Sequence, residues 1–189
     1  MKLYLATTSK FKSELLNQAC IKHELIGTDV DEVSDSDNVY DYVMDLSYLK
    51  ASSVDVKGIV VGLDTVVMCN DRIMEKPKDI DEVRSNLKEL SNNVNYVITG
   101  ICIIDTINNK VLKTYDETKV FIRELTDRDI DFYLENEKYA MSSSGYVIEN
   151  VMSAFVSKIE GTYTNILGLP TNKIVESLKT LGITIQELE

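Results

Sequence analysis

Tryptophan is absent from this chain, histidine occurs once, proline twice, cysteine three times and glycine eight times in 189 residues. The single histidine, His23, excludes a zinc site built on several imidazoles and leaves a Ser-His-Asp triad without support, so it reads as a surface or packing residue. Cys20, Cys69 and Cys102 are too scattered for a disulfide framework and adjoin no metal partner; they read as reduced, part-buried thiols. No Gly/Ser/Pro-rich stretch divides the chain and no repeat runs through it, so residues 1–189 read as one domain. No apolar run approaches membrane-spanning length, and the opening residues lack the pattern of a signal peptide, so the expectation is a cytoplasmic protein. Cations are also scarce: 20 Lys and Arg against 31 Asp and Glu give a net charge of −11. That balance opposes contact with a nucleic-acid polymer or an anionic membrane. A phosphate-bearing ligand would need its charge met locally, by a few placed cations or by a metal held on carboxylates.

What remains is ordinary globular material, 44% hydrophobic and 27% charged. Residues 3–7 read as an opening strand and 9–20 as a helix on which Phe11, Leu15 and Leu16 share a face. A short strand is expected at 22–27 and a long helix at 38–56, with Val39, Val43, Leu46 and Leu49 at helical spacing. Residues 58–68 are β-branched and almost continuously apolar, the pattern of a central strand covered on both faces. After the turn-like pair Asn70-Asp71 and then Lys76-Pro77, Asp79 and Glu82 mark a capped helix ending near Ser91, with Val83, Leu87 and Leu90 inward. Runs at 94–105 and 110–125 form a hairpin across Thr106-Ile107-Asn108-Asn109. A helix from Thr126 to about Asn136, a strand at 153–159 and a helix at 170–181 complete an α/β fold with a mixed, partly antiparallel twisted sheet.

Asp64 is the anomaly of the central strand, because an ionised carboxylate among apolar residues is costly unless paired or hydrogen-bonded. Either it sits at an exposed strand end capped by backbone N–H groups, or it is a metal ligand or general base in a cleft at the carboxyl ends of the strands. Thr7-Thr8-Ser9-Lys10-Phe11-Lys12 joins the first strand to the first helix, where hydroxyls and N–H groups either cap the helix or cradle a phosphate. The acidic run from Asp29 to Asp37 is no calcium loop, since Ser34 stands where glycine is required. It reads as a solvated loop from which one carboxylate could join Asp64 in holding Mg²⁺.

Taken in order, these segments resemble the Maf family (septum-formation-inhibitor-like proteins), nucleoside triphosphate pyrophosphatases related in fold to the inosine triphosphatases. The likeness runs almost end to end. It is carried by Leu5-Ala6-Thr7-Thr8-Ser9-Lys10-Phe11-Lys12-Ser13-Glu14-Leu15-Leu16, Asp31-Glu32, Lys50-Ala51, Gly62-Leu63-Asp64-Thr65-Val66-Val67, Lys76-Pro77, Thr99-Gly100, Gly161, Asn165 and Gly168-Leu169-Pro170. The resemblance implies an active-site cleft and hydrolysis between the α- and β-phosphates, giving a nucleoside monophosphate and pyrophosphate. It implies a divalent cation, Mg²⁺ or alternatively Mn²⁺, on Asp64 and Glu32, with Asp64 catalytic. Ser9, Lys12, Lys50 and Lys76 match the phosphate-contacting positions, which suits a reaction governed by positioning and charge neutralisation.

Two departures accompany the likeness. Lys10-Phe11-Lys12 stands where the family has Pro-Arg-Arg, replacing bidentate guanidinium contacts by a ring and ammonium groups and implying a weaker phosphate grip. Ser143-Ser144-Gly145-Tyr146-Val147-Ile148-Glu149-Asn150 loses three glycine-type positions of a later family segment. At the base-specificity positions Phe11 and Glu149 resemble the 7-methyl-GTP branch, since a ring stacks on a cationic base and a carboxylate accepts from guanine, whereas Thr65 resembles the dTTP/UTP branch. Core packing beside Leu15 is the other reading of Phe11. The expected partner is a nucleoside triphosphate, with a homodimer left open. The rival functions are a nucleotide-binding regulatory protein with weakened catalysis, linked to cell division, and an interaction protein of cell division that binds no nucleotide.

Overall fold

A computed structural model of the chain describes residues 1–141 and 146–189. In chain order the elements are β1 (Leu3–Ala6), α1 (Lys10–Gln18), β2 (Glu24–Ile26), α2 (Val39–Ser52), β3 (Ile59–Cys69), β4 (Arg72–Met74) and α3 (Ile80–Leu90). They continue with β5 (Val94–Asp105), β6 (Lys110–Ile122), α4 (Asp127–Asn136), β7 (Val156–Glu160), α5 (Tyr163–Ile166) and α6 (Thr171–Thr180). Among the described residues the strands make one seven-stranded sheet in the order β2-β1-β3-β5-β6-β7, with β4 paired to β3 off that path. β1 runs parallel to both β2 and β3, whereas β3–β4 and β6–β7 are antiparallel. This is the mixed α/β fold that the alternation of strand and helix patterns predicts. The chain gathers into two compact units, residues 1–65, 98–116 and 167–189 in the first, and 66–97 and 117–166 in the second.

In the first unit the strand period of two sorts side chains to opposite faces. Leu3, Leu5, Ile59, Val61, Leu63, Ile101 and Ile103 form one core with Leu16 of α1 and Ile174 and Leu178 of α6. Tyr4, Ala6, Val60 and Cys102 face the other way and pack with Ala51 and Val54 from the α2 side. Covering on both faces is why β3 reads as nearly unbroken hydrophobic sequence. On the α2 face two glycines bring the helix close. A Cβ at Gly62 would lie 2.1 Å from the Ser47 carbonyl oxygen, and one at Gly100 would lie 2.1 Å from that of Val43. The helix backbone therefore rests directly on β3 and β5. Asn38 starts α2 by accepting from the N–H groups of Tyr40 and Asp41. Ser53 closes it, so residues 54–56 lie outside the helix that the periodicity extends through them.

In the second unit Asn70 and Asp71, with φ of 50° and 59°, turn β3 back into β4 as two left-handed residues do in a tight hairpin. β4 has no sequence signature of its own, being three residues held by pairing to β3. Val83, Leu87 and Leu90 are the buried stripe of α3, as their spacing requires. Thr126 and Asp129 close a reciprocal capping box on α4. The strand expected from 153 starts only at Val156, because Val151–Ala154 forms a single turn of 3₁₀ helix first. Buried Glu137 accepts from the N–H groups of Tyr139 and Val151 and from the Asn150 amide, tying these positions together. Of the three thiols, Cys69 and Cys102 are buried, but Cys20 is exposed rather than part-buried, at the end of α1.

Replacing Gly100 by alanine drives a methyl into helix backbone that has no flexible end to yield. Gly100→Ala is expected to cost at least 2–3 kcal/mol in urea unfolding, roughly the upper range for overpacking. Gly27→Ala, whose new methyl would meet only the Thr8 methyl at 3.4 Å, should stay within about 0.5 kcal/mol.

Candidate active site

The β1–α1 connection is built from hydroxyls. Thr7 Oγ1 accepts from Ser9 N–H, and Ser9, the N-cap of α1, accepts through Oγ from Lys12 N–H at 3.4 Å. The helical ladder starts with Ser13 N–H to the Ser9 carbonyl, so the N–H groups of Lys10 and Phe11 precede it, at the positive end of the helix. Phe11 is 43% exposed and outside the core, which removes the packing reading of its ring.

The parallel pairing of β1 with β3 ends at Ala6 opposite Gly62, so Asp64 and Thr65 lie past the end of β1. Asp64 is nonetheless in mid-strand and only 8% exposed, which corrects the alternative of an exposed strand end capped by N–H groups. Its compensation is a cation. Lys50, from the last turn of α2, donates to Asp64 Oδ1 at 2.6 Å and lies 3.1 Å from Glu32 Oε1. The Lys50 and Asp64 side chains are 14% and 10% exposed, whereas Glu32 is 53% exposed. Burial opposes the Lys50 charge, but the two carboxylates outweigh it and hold the ammonium above its ordinary range.

On the other face of the sheet Thr65 and Thr99 share a hydrogen bond, Oγ1 to Oγ1, of 3.0 Å. Beside them Gly168, at φ 73°, lets its backbone pack closely against both: a Cβ there would lie 3.1 Å from Thr65 Oγ1 and 3.2 Å from Lys12 Cε. Half-buried Lys12 is desolvated and feels the Lys50 charge, so its ammonium is pushed down to about 8 despite the attraction of Asp64 and Glu32. The first unit thus brings together Lys12, Glu32, Lys50, Asp64 and Thr65, with Ser9 and Phe11 flanking Lys12 at the start of α1.

Lys76 and Glu149 belong to the second unit, where both are exposed. The Glu149 charge adds to burial in raising the Tyr163 hydroxyl above its ordinary value. The departure at Ser143-Ser144-Gly145 lies outside the described residues. His23 bridges Ser13 Oγ and the Ile21 carbonyl within the first unit, a local structural tie. Sequence reasoning missed Thr99 as a partner of the site; its signal was there, a hydroxyl inside the apolar run Val97-Ile98-Thr99-Gly100-Ile101.

The donor set suits a hard divalent cation. Asp64 and Glu32 already converge on one positive charge, the Lys50 ammonium, and both offer carboxylate oxygens. Among the described residues no three His, Cys, Asp or Glu side chains gather for a metal. An ion held by these two would complete its shell with water and phosphate oxygens, the usual habit of Mg²⁺.

Carboxylates, ammonium groups and a helix start past the end of a parallel strand define a phosphate-handling site of the α/β class. Residues 2–181 match the family described as Maf-like protein, and the chain belongs to that family. It is 40% identical over 183 residues to a dTTP/UTP pyrophosphatase of a Thermoanaerobacter species, covering 95% of this chain and 96% of that protein. A dTTP/UTP pyrophosphatase of Caldanaerobacter subterraneus is 37% identical, covering 95% of this chain and 88% of its own length. One from Clostridium perfringens is 36% identical, covering 98% of this chain and all of its own length. No helix among the described residues is long and apolar enough to cross a membrane.

Two outcomes follow from the charges. Lys50→Met leaves a buried carboxylate unpaired and should cost about 3 kcal/mol in denaturant unfolding at pH 7. Lys12 works in the opposite sense: between about 8 and the ordinary 10.5 the unfolded chain binds a proton that the folded chain has released. Its contribution to stability therefore rises with pH across that window. Lys12→Met should exceed wild type by about 1–2 kcal/mol at pH 7, and the gap should close as pH approaches 10, read from urea midpoints at each pH.

Proposed function

We propose that this chain is a nucleoside triphosphate pyrophosphatase, cleaving between the α- and β-phosphates of dTTP and UTP to give the monophosphate and pyrophosphate. The observation that carries the reading is the Lys50 ammonium held between Asp64 and Glu32 at the carboxyl end of β1, in a member of the Maf-like family. The names of the relatives and the Thr65 position support the pyrimidine specificity. Ser9 and the first turn of α1 bind phosphate oxygens; Lys12 and Lys50 neutralise them; and Asp64 accepts the proton of the attacking water. Mg²⁺ bound by Asp64 and Glu32 would supply further charge neutralisation on the triphosphate. The activity is one of clearing surplus or modified nucleotides from the cytoplasm.

A second reading, a 7-methyl-GTP-type substrate, is supported by the exposed ring of Phe11, which is free to stack on a cationic base.

The test is pyrophosphate release from dTTP, UTP, GTP and 7-methyl-GTP with Mg²⁺. Asp64→Asn should lower kcat/KM on the best substrate by about a hundredfold or more. Equal rates for wild type and variant would remove Asp64 from the chemistry. Binding of triphosphate with no release of pyrophosphate by wild type would favour the regulatory alternative.

A further inference from the structure

Thr99 is 0% exposed, and among the described residues its hydroxyl has one hydrogen-bond partner, Thr65 Oγ1. Thr65 is only half-buried. Two polarities are available to the pair. If Thr65 donates to Thr99, the Thr99 proton is left in a dry interior without an acceptor, the costly kind of unmet polar group. If Thr99 donates to Thr65, the buried hydroxyl is satisfied and the Thr65 proton is turned outward. The second arrangement leaves nothing buried unmet, and donation into Thr65 also polarises its O–H bond.

Thr65 Oγ1 and the Lys12 side chain both pack against the backbone of Gly168: a Cβ there would stand 3.1 Å from Thr65 Oγ1 and 3.6 Å from Lys12 Nζ, closer to the hydroxyl than a side chain comfortably fits. A hydroxyl donor and an ammonium converge there, a pairing that suits an electron-rich oxygen. The Thr65–Thr99 bond crosses from β3 to β5, strands adjacent in the sheet, so both rotors sit on rigid elements.

We infer that Thr99 is a positioning residue: its buried hydroxyl donates to Thr65 and fixes the Thr65 hydroxyl as a hydrogen-bond donor to an acceptor oxygen of the bound nucleoside triphosphate. The inference rests on the pyrophosphatase reading of the site and assigns a role to a residue one step removed from the ligand.

A double-mutant cycle tests it. Pyrophosphate release from UTP and GTP is measured for wild type, Thr65→Val, Thr99→Val, Thr99→Ser and Thr65→Val/Thr99→Val, with thermal melts alongside. Valine keeps the shape of threonine and removes only the hydroxyl chemistry. Thr99→Val should lower kcat/KM about tenfold, the scale of one misdirected hydrogen bond, and Thr99→Ser should restore it to within about twofold. Thr65→Val should lose a similar factor, and the double variant should be no worse than Thr65→Val alone, because Thr99 acts only through Thr65. A change in the UTP-to-GTP ratio identifies the acceptor as a base carbonyl; equal losses on both identify a phosphate oxygen. Losses that multiply to about a hundredfold, or no loss in Thr99→Val, overturn the inference. If Thr99→Val does not fold, Thr99→Cys, a weak donor of similar size, takes its place with the same expectations. If wild type releases no pyrophosphate, the functional reading fails separately. The same cycle is then read as UTP affinity by calorimetry, and absence of any binding overturns both.

Discussion

Helix α2 can lie on the sheet only because two residues beneath it have no side chain. Gly62 and Gly100 let the carbonyls of Ser47 and Val43 approach bare strand backbone, and this contact sets the height of the whole helix above β3 and β5. The cationic end of the helix inherits that height. Lys50 reaches Asp64 with a short hydrogen bond because its backbone is held one helical turn beyond the Ser47 contact. A helix lifted by one methyl layer would leave Asp64 buried and uncompensated. Fold and site are therefore coupled through a packing distance rather than through any residue that touches a ligand.

The electrostatics of the first unit follow from that coupling. In a chain of net charge −11, the site in this unit collects two of its few cations, with proton affinity altered in opposite directions. Lys50 has carboxylates to hold its proton; Lys12 has desolvation and a neighbouring ammonium to loosen its own. An arginine at position 12 would remain charged under the same desolvation, so the lysine changes the electrical character of the phosphate subsite as well as its geometry. Bringing in a polyanion strengthens both ammonium groups at once, since its charge favours their protonated forms.

Much of this was legible in the sequence because it shows as a violation of local rules. Asp64 interrupts an apolar strand, and the cost of that interruption announces a partner, although nothing local says the partner is Lys50, fourteen positions earlier on a helix. Periodicity placed Val43 and Leu46 of α2 and the stripe of α3 inward, though Val39 and Leu49 are only half-buried and Ser47 and Ala51 complete the inward face of α2, and the hairpin between β5 and β6 was readable from its turn residues. β4 was not, because three residues paired to a neighbour need no pattern of their own. The end of α2 was overrun because Val54 and Val56 continue an apolar rhythm after the hydrogen-bond ladder has stopped. Phe11 was ambiguous in one dimension, since the same helical spacing serves a core ring and an exposed one. Thr99 escaped because threonine is common in strands; only the neighbouring strand shows what its hydroxyl meets.

Adjacent residues of β3 serve opposite sides of the sheet: Asp64 meets Lys50 on the α2 side, while Thr65 meets Thr99 and packs beside Lys12 and Gly168 on the other. Alternation makes this division absolute, since a slip of β3 by a single position against β1 and β5 would exchange the carboxylate for the hydroxyl. What the strand must conserve is thus its phase. Insertion or deletion of a single residue between Ile59 and Asp64 would keep every functional residue in the chain and still turn Asp64 and Thr65 to the wrong faces.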